Sequence, residues 1–314
     1  MGAYISGCCG FCVWLAKKRG REPAGTGDLF IFSTCNSASI LAAPTISRRH
    51  PLFSPSDHLV NDVIKSDITD IMAYIVYNEN LDVLRKVDGL GPIHWACRLG
   101  RMQILQTLIS AGANLELRDA KYGWTSLSWC CRYKQYNAAV KLLQSGADVD
   151  AKDRYGTTPL MITVQNGNLE LSKYLVINGG ADLDLQDAFG TTALMHAIDN
   201  GHTNIGRMLI KCGANLNIRD NQLSTALHYA ASEGYAQMVS FLLDYGSIPA
   251  ARDTFGDNAA ESARVRGHAE AAQLVEAALL VAPTLGAALK LLGGGDDKKA
   301  ADGASKEDGG GKDG

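Results

Sequence analysis

The sequence lacks a membrane span near its start. The uncharged run Ile5 to Ala16 is 12 residues long, against the roughly 20 that cross a bilayer. A secretory signal pattern is missing too, because the positive charges follow that run where a signal peptide's would precede it. With no Asn-x-Ser/Thr sequon either, the eight cysteines read as reduced thiols in a cytosolic setting. The formal net charge is only -3, so the chain as a whole has no field suited to a polyanion, and nucleic acid is excluded as the main partner. There is no Gly-rich Walker loop, no His-Glu-x-x-His, and no Ser, Cys or Asp placed to complete a triad with a histidine. The expectation is no enzyme, no cofactor and no small-molecule substrate. Cys9-Gly-Phe-Cys12 has redox or zinc spacing, but without a second Cys or His pair nearby it carries no metal site.

What the chain does contain is a repeat. A Gly-x-Thr-Pro-Leu opening, or a close variant, begins at Gly89, Gly123, Gly156, Gly190, Leu223 and Gly256, at spacings of 34, 33, 34, 33 and 33. A Gly-Ala-Asn/Asp ending keeps the same step at Gly112, Gly146, Gly180, Gly213 and, weakly, Gly246. A fixed period near 33 marks a solenoid of two-helix units.

The stretch Asp153–Asp187 shows the physics of one unit. Thr158-Pro159 presets a helix start, because the hydroxyl accepts from a free N–H and proline at the first helical position forfeits no bond. Leu160, Val164, Leu169, Leu171 and Leu175 supply the apolar faces of two short helices. Gly167 permits the turn between them, and Gly179-Gly180 ends the second helix. One unit cannot bury its own faces, so stacking must do it.

Gly91-Pro92-Ile93-His94-Trp95-Ala96, Thr158-Pro159-Leu160 and Thr225-Ala226-Leu227-His228-Tyr229-Ala230 resemble the ankyrin repeat. The resemblance implies an all-α fold with short β-hairpin turns, an ankyrin-type solenoid of about six repeats, and a concave surface that holds a protein partner. It also implies that His94 and His228 hydrogen-bond neighbouring turns. Ser126 and Ser128 replace the proline and histidine of the second copy, and Leu223 replaces the opening glycine of the fifth, which predicts weaker or altered turns there.

The flanks carry different signals. Gly2 and Ser6 fit the myristoylation pattern. Cys8, Cys9 and Cys12 could take palmitate, and Lys17, Lys18, Arg19 and Arg21 could meet anionic lipid. A single myristoyl chain binds only reversibly, with K of about 10⁴ per molar, so stable anchoring needs a second signal. This predicts a chain lipid-anchored to the cytoplasmic side of a membrane, with an unmodified tail on a cytosolic protein as the alternative. Residues 1–21 are thus read as the anchor and 22–59 as a linker rich in Pro, Ser, Thr, Gly and Ala. Residues 60–87 are read as degenerate cap helices, because Asn78-Glu-Asn80-Leu81 echoes Asn166-Gly-Asn168-Leu169. The repeats fill 88–281. Pro283 is expected to end the last helix, leaving 282–292 as a separate capping helix and 293–314 as a disordered Gly/Asp/Lys tail.

Partner contacts are assigned by repeat phase. The family's pattern places the residues flanking the opening glycine, and those just before the inter-helix glycine, on the concave surface. Here these are Tyr122, Trp124, Tyr155 and Phe189 on the fingers, and Arg98, Leu99, Arg132, Tyr133, Gln165, Asn166, Asp199, Asn200 and Glu233 on the helices. Aromatic and arginine side chains dominate binding hot spots, so Trp124, Tyr133, Arg132 and Arg98 are expected to carry the most affinity. For Tyr122, Tyr155, Phe189 and Phe255, covering the hairpin is an equal alternative; Trp124 is less easily explained that way. Trp95, Trp129, Ile162, His196 and Tyr229 share one position and are expected to pack inside.

Overall fold

The computed structural model describes residues 60–63, 80–85 and 88–292, the stretch 282–292 as backbone. All of these fall in the unit Pro51–Gly314; the other unit, Met1–His50, lies outside them. Twelve helices follow a helical turn at 60–63 among the described residues. They are α1 Pro92–Leu99, α2 Met102–Ser110, α3 Ser126–Arg132, α4 Tyr136–Gln144, α5 Pro159–Gln165, α6 Leu169–Ile177, α7 Ala193–Asp199, α8 Thr203–Lys211, α9 Ala226–Ser232, α10 Ala236–Asp244, α11 Ala259–Val265 and α12 Ala269–Leu292. Odd-numbered helices are the first of each pair and pack on one another along the array; the second helices form a parallel outer row.

The sequence dictates these elements locally. Thr158 caps α5 by accepting the Met161 N–H at 3.3 Å, and Pro159 takes the first helical position. Leu160, Met161, Val164, Leu171 and Leu175 are fully buried, each worth about 1.5–3 kcal/mol relative to exposure. Gly167 closes the turn at φ +67, and a Cβ there would sit 2.7 Å from the His202 ring of the next unit. Glycine therefore satisfies both the left-handed backbone and the close stacking. One apolar cluster runs unbroken from Val63 to Val275.

The fingers are stitched by backbone. Asp153 Oδ1 accepts the N–H groups of Tyr155 and Thr157, both at 2.8 Å, which folds the turn on itself. Neighbouring fingers then join: Ala120, Arg154, Ala188, Asn221 and Thr254 donate their N–H to the carbonyls of Gly89, Tyr122, Tyr155, Phe189 and Gln222. Isolated bridges at Gln186–Thr192 and Arg252–Asn258 are the only strand-like pairings among the described residues.

Three expectations are corrected. Asn80–Arg85 carry no helix. Asn80-Leu81-Asp82-Val83 is in phase with the exit loop Asn114-Leu115-Glu116-Leu117, and Asp82 Oδ1 accepts the Asn114 N–H at 2.9 Å as Glu116 Oε1 accepts that of Asp148 at 2.8 Å. The echo of Asn168-Leu169 was a coincidence of composition. Next, 282–292 is not a separate capping helix: α12 continues through Pro283 to Leu292. Proline forfeits one helical bond, and the flanking run of Ala and Leu has the propensity to carry the helix past it. Finally, the fifth finger is not altered. Leu223 adopts φ 59 and donates to the Asp220 carbonyl at 2.9 Å, reproducing the turn at a cost in strain.

Candidate interaction face

The finger aspartates from Asp88 to Asp220 each do two jobs. Oδ1 closes the turn, while in four units Oδ2 takes a hydrogen bond from the first helix of the same unit. The donors are Trp95 Nε1 to Asp88 at 3.1 Å, Trp129 Nε1 to Asp119 at 2.9 Å, His196 Nε2 to Asp187 at 2.9 Å and Tyr229 Oη to Asp220 at 2.8 Å. These residues share the position assigned to interior packing, and Trp129 and Ile162 are buried there. The others are half-buried and bolt finger to helix. Ile162 has no donor, so Asp153 Oδ2 instead takes Trp124 Nε1 of the preceding finger at 2.9 Å. Sequence reasoning missed this role; the recurrence of Asp at 119, 153, 187, 220 and 253, ahead of each helix start, was its signal.

The environment of these groups sets their protonation. Burial pushes the Asp88 carboxyl up, but the bond and charge of Arg85 together with the N–H groups of Leu90 and Trp95 hold it below its ordinary value. Burial, joined by the Asp220 carboxylate, drives the Tyr229 phenol well up. Burial lowers His94 and His228. His94 Nδ1 accepts the Gly91 N–H at 2.9 Å, leaving Nε2–H to donate to the Leu117 carbonyl at 2.8 Å. His228 reaches the Asp257 carbonyl at 3.4 Å, so both histidines bond to adjacent turns as the repeat pattern implied. Burial likewise drives the Cys130 and Cys131 thiols up, which leaves them protonated and inert.

At the N-terminal end the predicted residues converge. Tyr122 stacks on Trp124 at 4.6 Å, Trp124 meets the edge of Trp129 at 5.2 Å, and Trp129 stacks on Tyr133 at 5.6 Å. The Arg98 guanidinium lies among these rings and Trp95, 4.8 Å from the Trp95 centroid, 5.2 Å from Tyr133 and 5.9 Å from Trp129. Tyr133 is nonetheless 41% exposed. One unit farther, exposed Arg132 donates to Asn166 Oδ1 at 2.7 Å, and Asn166 Nδ2 donates back to the carbonyls of Cys131 and Arg132.

Farther along, the predicted residues stand apart. Tyr155 and Phe189 are 57% and 68% exposed on their own fingers, and neither joins a ring pair among the described residues. Leu99, Gln165, Asp199 and Asn200 are exposed. Glu233 is held by Arg266 at 2.6 Å. Gly2, Cys8, Cys9, Cys12, Lys17, Lys18, Arg19 and Arg21 lie outside the described residues. Among those described, no helix is long and apolar enough to cross a membrane, and no group of His, Cys, Asp and Glu could hold a metal ion.

Comparison with known proteins agrees with this geometry. A family model described as ankyrin repeats in three copies matches residues 62–153, 138–220 and 160–253. No curated protein matches the chain. Among solved structures, the ankyrin repeat domain of Bcl-3, described as a unique member of the IkappaB protein family, is similar with a TM-score of 0.65 at 24% identity. The match covers 72% of this chain and 100% of that one.

Proposed function

This chain belongs to the ankyrin-repeat family, and from that premise we propose that it is a non-enzymatic scaffold, anchored by lipid to the cytoplasmic side of a membrane. Its fingers and first helices hold a protein partner. The observation that carries the interaction reading is the exposure of three large side chains on successive units: Tyr133 at the end of a first helix, in contact with Arg98, and Tyr155 and Phe189 on the next two fingers. Such residues anchor protein interfaces. The tether is argued from sequence: acylation at Gly2 joined to Cys8, Cys9 and Cys12, with four basic residues each adding roughly 1 kcal/mol at an anionic surface. Tethering would raise the local concentration of whatever the face holds.

Two measurements test the two parts. Capture of a protein partner from lysate should fail for Trp124→Ala combined with Arg132→Glu; undiminished capture contradicts the interaction face. Fractionation should find wild type with membranes and Gly2→Ala in the soluble fraction, as should Cys8, Cys9 and Cys12 changed together to Ser. Equal soluble fractions throughout would replace the tether with a cytosolic regulator using the same face.

A further inference from the structure

The geometry points to the N-terminal half of this face as a docking site for an extended acidic peptide of the partner, its carboxylates received by Arg98 and Arg132 with Lys134 beside them. This rests on the interaction reading above and names the partner's chemistry.

Three observations carry it. First, neither Arg98, Arg132 nor Lys134 forms an ion pair among the described residues, whose pairs are Arg85–Asp88, His196–Asp187, Arg252–Glu261, Arg264–Glu276 and Arg266–Glu233. The finger carboxylates nearest in the chain are already bound, Asp88 by Arg85, Trp95 and the Leu90 N–H, and buried Asp119 by Trp129 and three backbone N–H groups. Second, the Arg98 guanidinium lies 4.8, 5.2 and 5.9 Å from the ring centroids of Trp95, Tyr133 and Trp129, aromatic neighbours that position it without neutralising its charge. A guanidinium so placed keeps its charge for a carboxylate, which it can receive through two parallel bonds. Third, Lys134 occupies the inter-helix position that Gly100, Gly167, Gly201, Gly234 and Gly267 take in other units, and holds φ 57 there. A lysine kept in the left-handed region at the one unit beside Arg132 and Tyr133 adds a third cation at a cost in backbone strain.

The spacing fits an extended occupant. Neighbouring first helices lie about 8–10 Å apart, and a chain in the polyproline II conformation advances roughly 9 Å per turn of three residues, which returns every third side chain to the same side. Acidic side chains at i and i+3 would therefore meet Arg98 and Arg132 in turn. Along the same face the sign reverses at exposed Asp199, while Glu233 is neutralised by Arg266, so the acidic end of the peptide is directed to the N-terminal units. Single-stranded RNA fits less well: the rings that would stack on bases already hold Arg98, and the formal net charge of -3 opposes a polyanion.

The test uses the full chain and a fluorescein-labelled peptide of about 12 residues, long enough to cross the first four units. It carries Glu at every third position with Pro and Ala between. The control replaces each Glu by Gln. Anisotropy should show the Glu peptide binding at least about tenfold tighter than the Gln peptide, the advantage shrinking as salt rises. Arg98→Gln and Arg132→Gln should each weaken it by about tenfold, Arg98→Lys should not restore it, and Lys211→Gln on the outer row should leave it unchanged. Lys134→Gly should weaken binding while raising Tm, a pairing that a damaged fold cannot give. Equal binding of the two peptides, no binding of either, or displacement by oligouridylate at equal concentration overturns the inference. If that happens while Trp124→Ala with Arg132→Glu still abolishes partner capture, the acidic peptide alone is lost and the interaction face stands.

Discussion

Leu223 and Lys134 are the two non-glycine residues at positive φ among those described, each at a position where the other units use glycine. Left-handed backbone costs a non-glycine residue roughly 1–2 kcal/mol, part of which glycine returns through a more disordered unfolded chain. Leu223→Gly should therefore raise stability by about 1 kcal/mol, read as a higher urea midpoint at unchanged slope. Trp124 belongs to the same scale. Its indole N–H supplies Asp153 with the donor that Ile162 lacks, so Trp124→Phe should cost about 1.5–3 kcal/mol, the usual range for a hydrogen bond to a charged group. An unchanged midpoint would show that solvent replaces the bond. The histidines set a pH dependence. His94 and His228 titrate below their ordinary value when folded because burial penalises the imidazolium. The unfolded chain thus binds more protons over that interval. The contribution is fully present above about pH 6.5 and is lost as pH falls through the folded values. Tm should drop from pH 7 to pH 5, and His228→Asn should flatten the curve.

At the scale of the element, the period was legible because each helix start, inter-helix turn and exit repeats a residue whose backbone role is local. Thr158, Pro159 and Gly167 act where they were read. What misled was similarity without phase. Asn80-Leu81-Asp82 looks like the start of a second helix, yet its side chains do the work of an exit loop, because the bond from Asp82 to Asn114 spans a whole unit. The reach of a side chain across units is not written in a local pattern. The finger bolts lie within one unit and were hidden for another reason: Trp95, Trp129, His196 and Tyr229 are unlike in type and alike only in offering a donor to an aspartate. Within a unit, Leu175→Ala should cost about 2–5 kcal/mol, as for buried leucines generally. Hydrogen exchange should then show faster opening in α5 to α8 and little change in α1 or α12, because neighbour contacts carry the stability. Uniform acceleration along the chain would mean one cooperative core.

At the scale of the whole molecule, charge and ring content are distributed unevenly along one face. The alignment of repeat positions put Arg98, Arg132 and Tyr133 in one register, but it could not show that Arg98 lies among three rings or that Arg132 is held by Asn166. Those contacts depend on rotamers set by adjacent units. The most direct measurement of the central claim is hydrogen exchange on the full chain, free and bound to a captured protein partner. New protection should fall on Arg98–Leu99, Lys121–Trp124 and Arg132–Lys134, with the outer helices α2, α4 and α6 unchanged. Protection confined to those outer helices, with the fingers and first-helix ends exchanging as in the free chain, would contradict it.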